Sequence, residues 1–230
     1  MTELKQKKLT KLVGLNKSEF YEYVSSGDIF LAKPRLIPLY KLGDEMALTS
    51  VLLSAIKLVK EFRNAIFSEA KLQKGGTVYF YTEVSFKEFK DSRIDGLILI
   101  VKNRKITDAA ILEVKNGAGK LEKEQLERYQ DVARQYAIPK FITISNEFVS
   151  DSTQSPLKIR SLKSVEMRHY SWTYLLTLAH VLLFKTNISI QDEDQIEIMR
   201  EVVNYFEHDK SGVVGINQMG PSGKQAIDKI

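Results

Sequence analysis

The stretch from residue 93 to residue 129 constrains this chain more than any other. Asp95 to Val101 is almost wholly apolar after its first residues, and so is Ala109 to Leu112. Runs of that kind suit β-strands covered on both faces. Yet Asp95 opens the first run, and Glu113-Val114-Lys115 closes the second. Glu113 and Lys115 are two residues apart, so on a strand both side chains leave the same face. A carboxylate and an ammonium in strands this apolar are costly to bury unless they are paired or hold a metal. Such a conflict between local polarity and burial is where function is expected.

The elements around this stretch read in order. Asn16 or Ser18 is positioned to cap a short helix through Glu19, Tyr23 and Val24. Lys33 to Pro38 carries two prolines and is excluded from regular helix. Asp44 follows Gly43 as the N-cap of a long helix from Glu45 to Lys74, whose apolar residues, Met46 to Ile66, recur at helical spacing and which Gly75-Gly76 ends. Thr77 to Phe86 is a strand with Val78, Phe80, Thr82 and Val84 on one face, and Lys87 to Ser92 is a polar turn. Asp95–Val101 and Ile106–Lys115 are the next two strands, with Lys102 to Lys105 as their hairpin. Asn116-Gly117-Ala118-Gly119 breaks the strand. A charged helix from Leu121 to Tyr136 follows, with an apolar stripe of Leu126, Tyr129, Val132 and Ala133. Phe141–Ser145 is a short buried strand, Glu147–Ser164 a polar loop, and Val165–Tyr170 a further strand. Trp172–Phe184 and Asp192–His208 are helices, the last with acids in its first turn.

The expected class is α/β, a mixed central sheet flanked by helices with core order α-β-β-β-α-β. The expected organisation is a lead-in over residues 1–43, one domain over 44–210, and a flexible glycine-rich segment over 211–230. Gln225 to Ile230 resembles the start of a helix, so membership of a longer chain stays open.

Composition narrows the chemistry. With 230 residues, 43% hydrophobic and 27% charged, the chain is long enough to bury a core. No apolar run approaches a membrane span of about 18 residues, and the basic start from Met1 to Lys11 is not followed by a secretory signal. The expected location is cytoplasmic, with no membrane partner. There is no cysteine, which excludes disulfides, thiolate catalysis and cysteine-held zinc. His169, His180 and His208 have no metal-ligand spacing, so any metal is expected to be a hard cation held by oxygen. His169 and Trp172 are expected in structural roles. The net charge of +5 and pI near 9.1 permit a polyanionic partner.

Taken together, Asp95, the Glu113-Val114-Lys115 triplet on the following strand and the helix bearing Gln125 and Tyr129 resemble the PD-(D/E)XK nuclease superfamily. The Gln125-x-x-x-Tyr129 spacing resembles its lambda-exonuclease branch. The resemblance covers about half the chain, from Glu45 to Ser145. Residues Ile142 to Asn146 and His169 to Thr173 are similar to stretches of bacterial proteins that carry the same core. In the family a proline often precedes the first acid, where this chain has Ile94.

The resemblance implies a restriction-endonuclease-like fold and Mg²⁺-dependent hydrolysis of phosphodiester bonds in DNA, with Mn²⁺ as a substitute. It implies that Asp95 and Glu113 hold the metal with the Val114 carbonyl, and that Glu45 from the first helix is a further ligand. Lys115 would orient or help deprotonate the attacking water. Gln125 would hold the metal, its water or nearby backbone. Tyr129 would contact a phosphate, and Lys120, with Lys123, Arg128 and Arg134, would track the backbone. For Glu45 an ordinary N-terminal acid favoured by the helix dipole is an equal reading, and Glu83 is expected to be solvated. The alternative function is a non-catalytic domain that binds nucleic acid or acts as a scaffold while keeping the fold. A homodimer is compatible with either.

Overall fold

The structure, a computed structural model, describes residues 9–36, 41–89, 92–184 and 189–215. The expected basic start, Pro38 and the Gln225–Ile230 helix start lie outside the described residues, Leu9 to Lys11 apart. In chain order the elements are α1 (Lys17–Ser25), β1 (Ile29–Ala32), α2 (Glu45–Leu58), α3 (Lys60–Glu69), β2 (Thr77–Phe86), β3 (Arg93–Lys102), β4 (Lys105–Val114), α4 (Lys123–Gln135), β5 (Lys140–Ser145), β6 (Glu166–Ser171), α5 (Trp172–Phe184) and α6 (Glu193–Glu207).

The six strands form one open mixed sheet in sequential order. β1 to β4 run antiparallel; β4, β5 and β6 run parallel, with α4 as the crossover between β4 and β5. One face of the sheet is covered by α2, α3, α5 and α6 through Leu48, Leu52, Phe62, Trp172, Leu176 and Phe206. The other is covered by α4, α1 and the N-terminal segment through Leu12, Phe20, Leu126, Tyr129 and Val132. The molecule is therefore an α/β sandwich. Among the described residues no helix is long and apolar enough to cross a membrane.

Local chemistry sets several boundaries. Asn16 and Glu19 form a reciprocal capping box on α1. The Asp44 carboxylate accepts from the Met46 amide at 2.9 Å and starts α2. Asn103 and Arg104 both take left-handed φ, +51° and +63°, the conformation that a two-residue hairpin turn requires.

Three features differ from the expected pattern. The long helix from Glu45 is broken at Val59, which is extended (φ −103°, ψ 107°). The periodicity continues across the break, but Gln195 of α6 accepts from the Lys60 amide at 2.7 Å and caps a new helix. That helix, α3, ends before Lys71 rather than at the glycine pair. A short strand, β1, lies within the expected lead-in, and β1 pairs with β2. Third, Val84 does not share a face with Val78 and Phe80. These two pack toward α2, whereas Val84 packs on the α4 side with Tyr81. Left-handed Glu83 (φ +52°) makes the switch, as a bulge does. β3 switches faces beside it. Ile94 packs on the α4 side with Leu97 and Leu99, while Ile98 and Ile100 point to α2. Asp95 and Gly96 occupy that kink. A Cβ on Gly96 would come within 3.1 Å of Leu53 and 3.2 Å of Leu112, so glycine lets α2 close down on the sheet there.

Candidate active site

The antiparallel ladder between β3 and β4 ends at the Gly96–Leu112 pair. Beyond it the strands no longer bond backbone to backbone. The Val114 amide instead donates to Asp95 Oδ2 at 2.8 Å, so the acid replaces a carbonyl of its own strand. Leu112 and Val114 pack toward α2. Glu113, between them, therefore leaves the sheet on the α4 side, as does Lys115.

The three ionisable residues of the expected core meet here. Glu113 has no exposure at all. The Lys115 ammonium lies 2.9 Å from Glu113 Oε1 and 3.3 Å from Glu45 Oε2. The Asp95 and Glu113 carboxyl groups lie close enough to shift each other's titration. Even so, neither oxygen of Glu113 has a well-directed donor, the ammonium approaching Oε1 off the line of a good hydrogen bond.

The electrostatics follow from that crowding. Burial, then the charge of Asp95, pushes Glu113 up to about 9. Burial also raises Asp95, to about 6, against the lowering effect of the Val114 amide and of Lys115. Its rise is smaller than that of Glu113 because the Val114 amide and Lys115 favour its charged form, whereas the charge of Asp95 adds to the effect of burial on Glu113. Near neutral pH the pair thus holds about one proton, as interacting carboxyls do. For Lys115 burial acts to lower the pKa, but Glu113, Glu45 and Asp95 outweigh it and raise it above the ordinary value. The ammonium is therefore firmly charged.

The backbone at this site is fixed from several sides. The Lys115 amide donates to the Ile144 carbonyl at 2.8 Å, and the Lys115 carbonyl accepts the indole N–H of Trp172 at 2.8 Å. Asn116 Nδ2 donates to the carbonyls of Gly43 (2.6 Å) and Ser211 (2.7 Å). The Gly117 amide donates to Gly212, which is left-handed (φ +74°) and whose missing Cβ would meet Gly117 and Asn116 at about 3 Å. Gly212 to Val214 are thus bonded into the site's edge through Gly117 and Asn146, although that segment reads as flexible from its glycine content. None of these ties is visible in the sequence, because each partner lies 29 to 95 residues away. The one available signal was Trp172 itself, the chain's single tryptophan, which is fully buried as expected. His169 is also structural, between Thr143 Oγ1 and the Glu147 carbonyl.

The α4 residues are placed differently from their expected roles. Gln125 Nε2 donates to Tyr129 Oη at 3.2 Å, and not to the Glu113–Lys115 segment. The Tyr129 hydroxyl donates its proton to the Arg93 carbonyl at 2.6 Å. Its pKa is pushed up to about 12 by burial and by the charge of Glu113. Lys120 is exposed. Glu83, expected to be solvated, reaches Arg93 at 3.6 Å.

Among the described residues no group of three or more His, Asp or Glu gathers closely enough to form a metal site by itself. The donor set still suits a hard dication. Mg²⁺ takes oxygen ligands and keeps several waters, using one or two carboxylates. Glu113 supplies two enclosed oxygens without directed donors, Asp95 supplies Oδ1, and Val114 would contribute only through its carbonyl. Glu45 reaches the cluster through Lys115. The chain matches no protein-family description and no curated protein.

Proposed function

We propose that the Asp95–Glu113–Lys115 cluster is the active centre of a divalent-metal-dependent phosphodiesterase acting on DNA, built on a restriction-endonuclease-like fold. The observation that carries this reading is the Glu113 carboxyl, fully enclosed, crowded against a second acid and lacking a directed donor. A structural acid would be satisfied. An acid awaiting a cation need not be.

Phosphodiester hydrolysis requires a placed water, stabilisation of charge on the phosphoryl oxygens and a proton for the leaving oxygen. Bound Mg²⁺ would polarise the phosphate and lower the pKa of a coordinated water. Asp95 and Glu113 would hold it, releasing their shared proton as they do so. Without metal Lys115 is protonated between Glu113 and Glu45, which would suit it to donate hydrogen bonds to the water or a phosphoryl oxygen. Tyr129 would stiffen the start of β3 by its bond to Arg93, with Gln125 orienting the hydroxyl. In this arrangement α4 supports the acids from behind, and the phosphate contact assigned to Tyr129 by resemblance would require breaking a 2.6 Å bond.

The test is cleavage of supercoiled and linear DNA with Mg²⁺, Mn²⁺ or chelator, alongside calorimetric titration of Mg²⁺. Metal-dependent cutting that disappears in Asp95→Asn, with that variant still folded, supports the proposal. DNA binding without cutting in any divalent metal would favour the non-catalytic alternative.

A further inference from the structure

The contact between Lys115 and Glu45 is too open to hold itself. The Glu45 side chain is 34% exposed, and its Oε2 accepts from the ammonium at 3.3 Å. A pair this accessible gains little in water and costs two long side chains their freedom. The fold instead fixes the backbone on both sides of it. Asn116, the residue after Lys115, is buried, and its side-chain nitrogen carries two protons. It donates to the Gly43 carbonyl at 2.6 Å and to the Ser211 carbonyl at 2.7 Å. Gly43 lies two residues ahead of Glu45, so one nitrogen joins the turn after Lys115 to the start of α2 and to the chain beyond α6.

The turn itself makes room for the carboxylate. The Gly119 amide donates to the Asn116 carbonyl at 2.8 Å and closes the turn. A Cβ on Gly119 would stand 2.9 Å from Glu45 Oε1 and 3.0 Å from the Asn116 carbonyl. Asn116 therefore holds Glu45 by its backbone, and Gly119 leaves space for its carboxylate. The ammonium is hydrogen-bonded to Glu45, whereas its closer approach to Glu113, at 2.9 Å, is poorly aligned.

We infer that Asn116 is a positioning residue of this centre. It docks the first turn of α2 on the turn after Lys115, and the Glu45 carboxylate so placed keeps the ammonium aligned away from Glu113. The enclosed oxygens of Glu113 are then left without a directed donor, as a cation would require. The consequence for cleavage rests on the nuclease reading of the cluster; the placement of the ammonium does not.

Two variants test it. Asn116→Leu keeps the size of the side chain, removes both donors and adds no charge. Gly119 lies outside the left-handed region, so Gly119→Ala fills the space beside Glu45 Oε1 without backbone strain. The first measurement is the ¹H–¹⁵N resonance of the Lys115 ammonium at low temperature, identified by its absence from Lys115→Arg. A hydrogen-bonded ammonium shielded from water gives a sharp signal, which both variants should shift or lose. The second is single-turnover cleavage, expected to fall at least tenfold in Asn116→Leu and severalfold in Gly119→Ala, with DNA affinity kept within twofold. A merely structural Asn116 would lower the urea midpoint and leave the resonance and the rate per folded molecule as they were. If Asn116→Leu does not fold, Gly119→Ala decides. The inference is overturned if the parent shows no such resonance, if either folded variant keeps it unchanged, or if a parent that cuts DNA is matched by the folded variants. A parent that cuts nothing while the resonance shifts in the variants upholds the positioning and sinks the nuclease reading.

Discussion

Strand β4 buries an acid near each end, and the two are treated oppositely. At its start Asp108, 3% exposed, accepts from the Ala109 amide, from the Gln73 amide and from Lys140 Nζ through both oxygens, at 2.9 to 3.0 Å. Every lone pair that burial removed from water has been given a donor. At its end Glu113 is more deeply enclosed, lies close to another carboxyl, and has one badly aligned ammonium. The same strand therefore holds an acid that serves the fold and an acid that the fold merely tolerates. The difference lies in partner count, and a pattern of buried polarity alone does not distinguish the two.

The sharpest way to break this comparison is at Lys115. Removing it should lower phosphodiester cleavage by about a thousandfold, the scale of losing one preorganised donor to developing charge. The loss should fall on kcat with DNA affinity nearly kept, as measured by single-turnover cleavage and by filter binding. Equal losses in both would make Lys115 a phosphate anchor only.

At the other end Asp108→Ala should leave cleavage per folded molecule intact but destabilise the protein. Lys140 would stay largely buried without its counter-ion, at a cost of about 3 kcal/mol by urea unfolding. If unfolding is unaffected while cleavage is lost, the division of labour proposed for the two acids is mistaken.

How far this division could be read from the sequence depends on what local pattern encodes. Thr77 to Phe86 and Trp172 to Phe184 form a strand and a helix at the limits that apolar spacing suggests. Asp95, Glu113 and Lys115 were legible as a group because each interrupts an apolar strand at its end. The break at Val59 was not legible, since its cause is an amide 135 residues away. Nor was the face switch at Glu83, where no glycine marks the left-handed residue. Asp108 sits inside an apolar strand much as Glu113 does, yet the donors that satisfy it come from Gln73 and Lys140.

A smaller effect tests the charge state of the active-end acids. The folded state holds Glu113 protonated up to about 9, while an unfolded chain releases that proton near the ordinary 4.5. The folded form then binds more protons than the unfolded form between those values. Stability therefore declines as pH rises through that window, and it is fullest below it. Glu113→Gln should remove this slope and raise stability at pH 8 by about 1 kcal/mol, the gain from uncharging a crowded carboxyl being partly offset by the lost attraction to Lys115. Metal binding should show the same proton from the other side, with Mg²⁺ affinity of the parent rising from pH 6 to pH 9. A flat stability profile in the parent would mean that the pair is not sharing a proton.

The smallest effect concerns Tyr129, and it separates two views of α4. The hydroxyl has one proton, and it is committed to the Arg93 carbonyl at 2.6 Å; toward Gln125 it can only accept. Arg93 begins the strand whose third residue is Asp95, so the bond ties α4 to the end of β3 that bears the acid. Tyr129→Phe keeps the ring packed against Phe141 and removes only that bond, leaving a backbone carbonyl and the Gln125 amide without their partner. The expected cost is about 1 kcal/mol of stability, with cleavage reduced severalfold because Asp95 is less firmly placed, and with DNA affinity unchanged. A tyrosine that donates to phosphate behaves otherwise. Its loss would weaken DNA binding while leaving unfolding by urea almost untouched. Measuring both on the one variant shows whether α4 braces the acids from behind or reaches past them to the substrate.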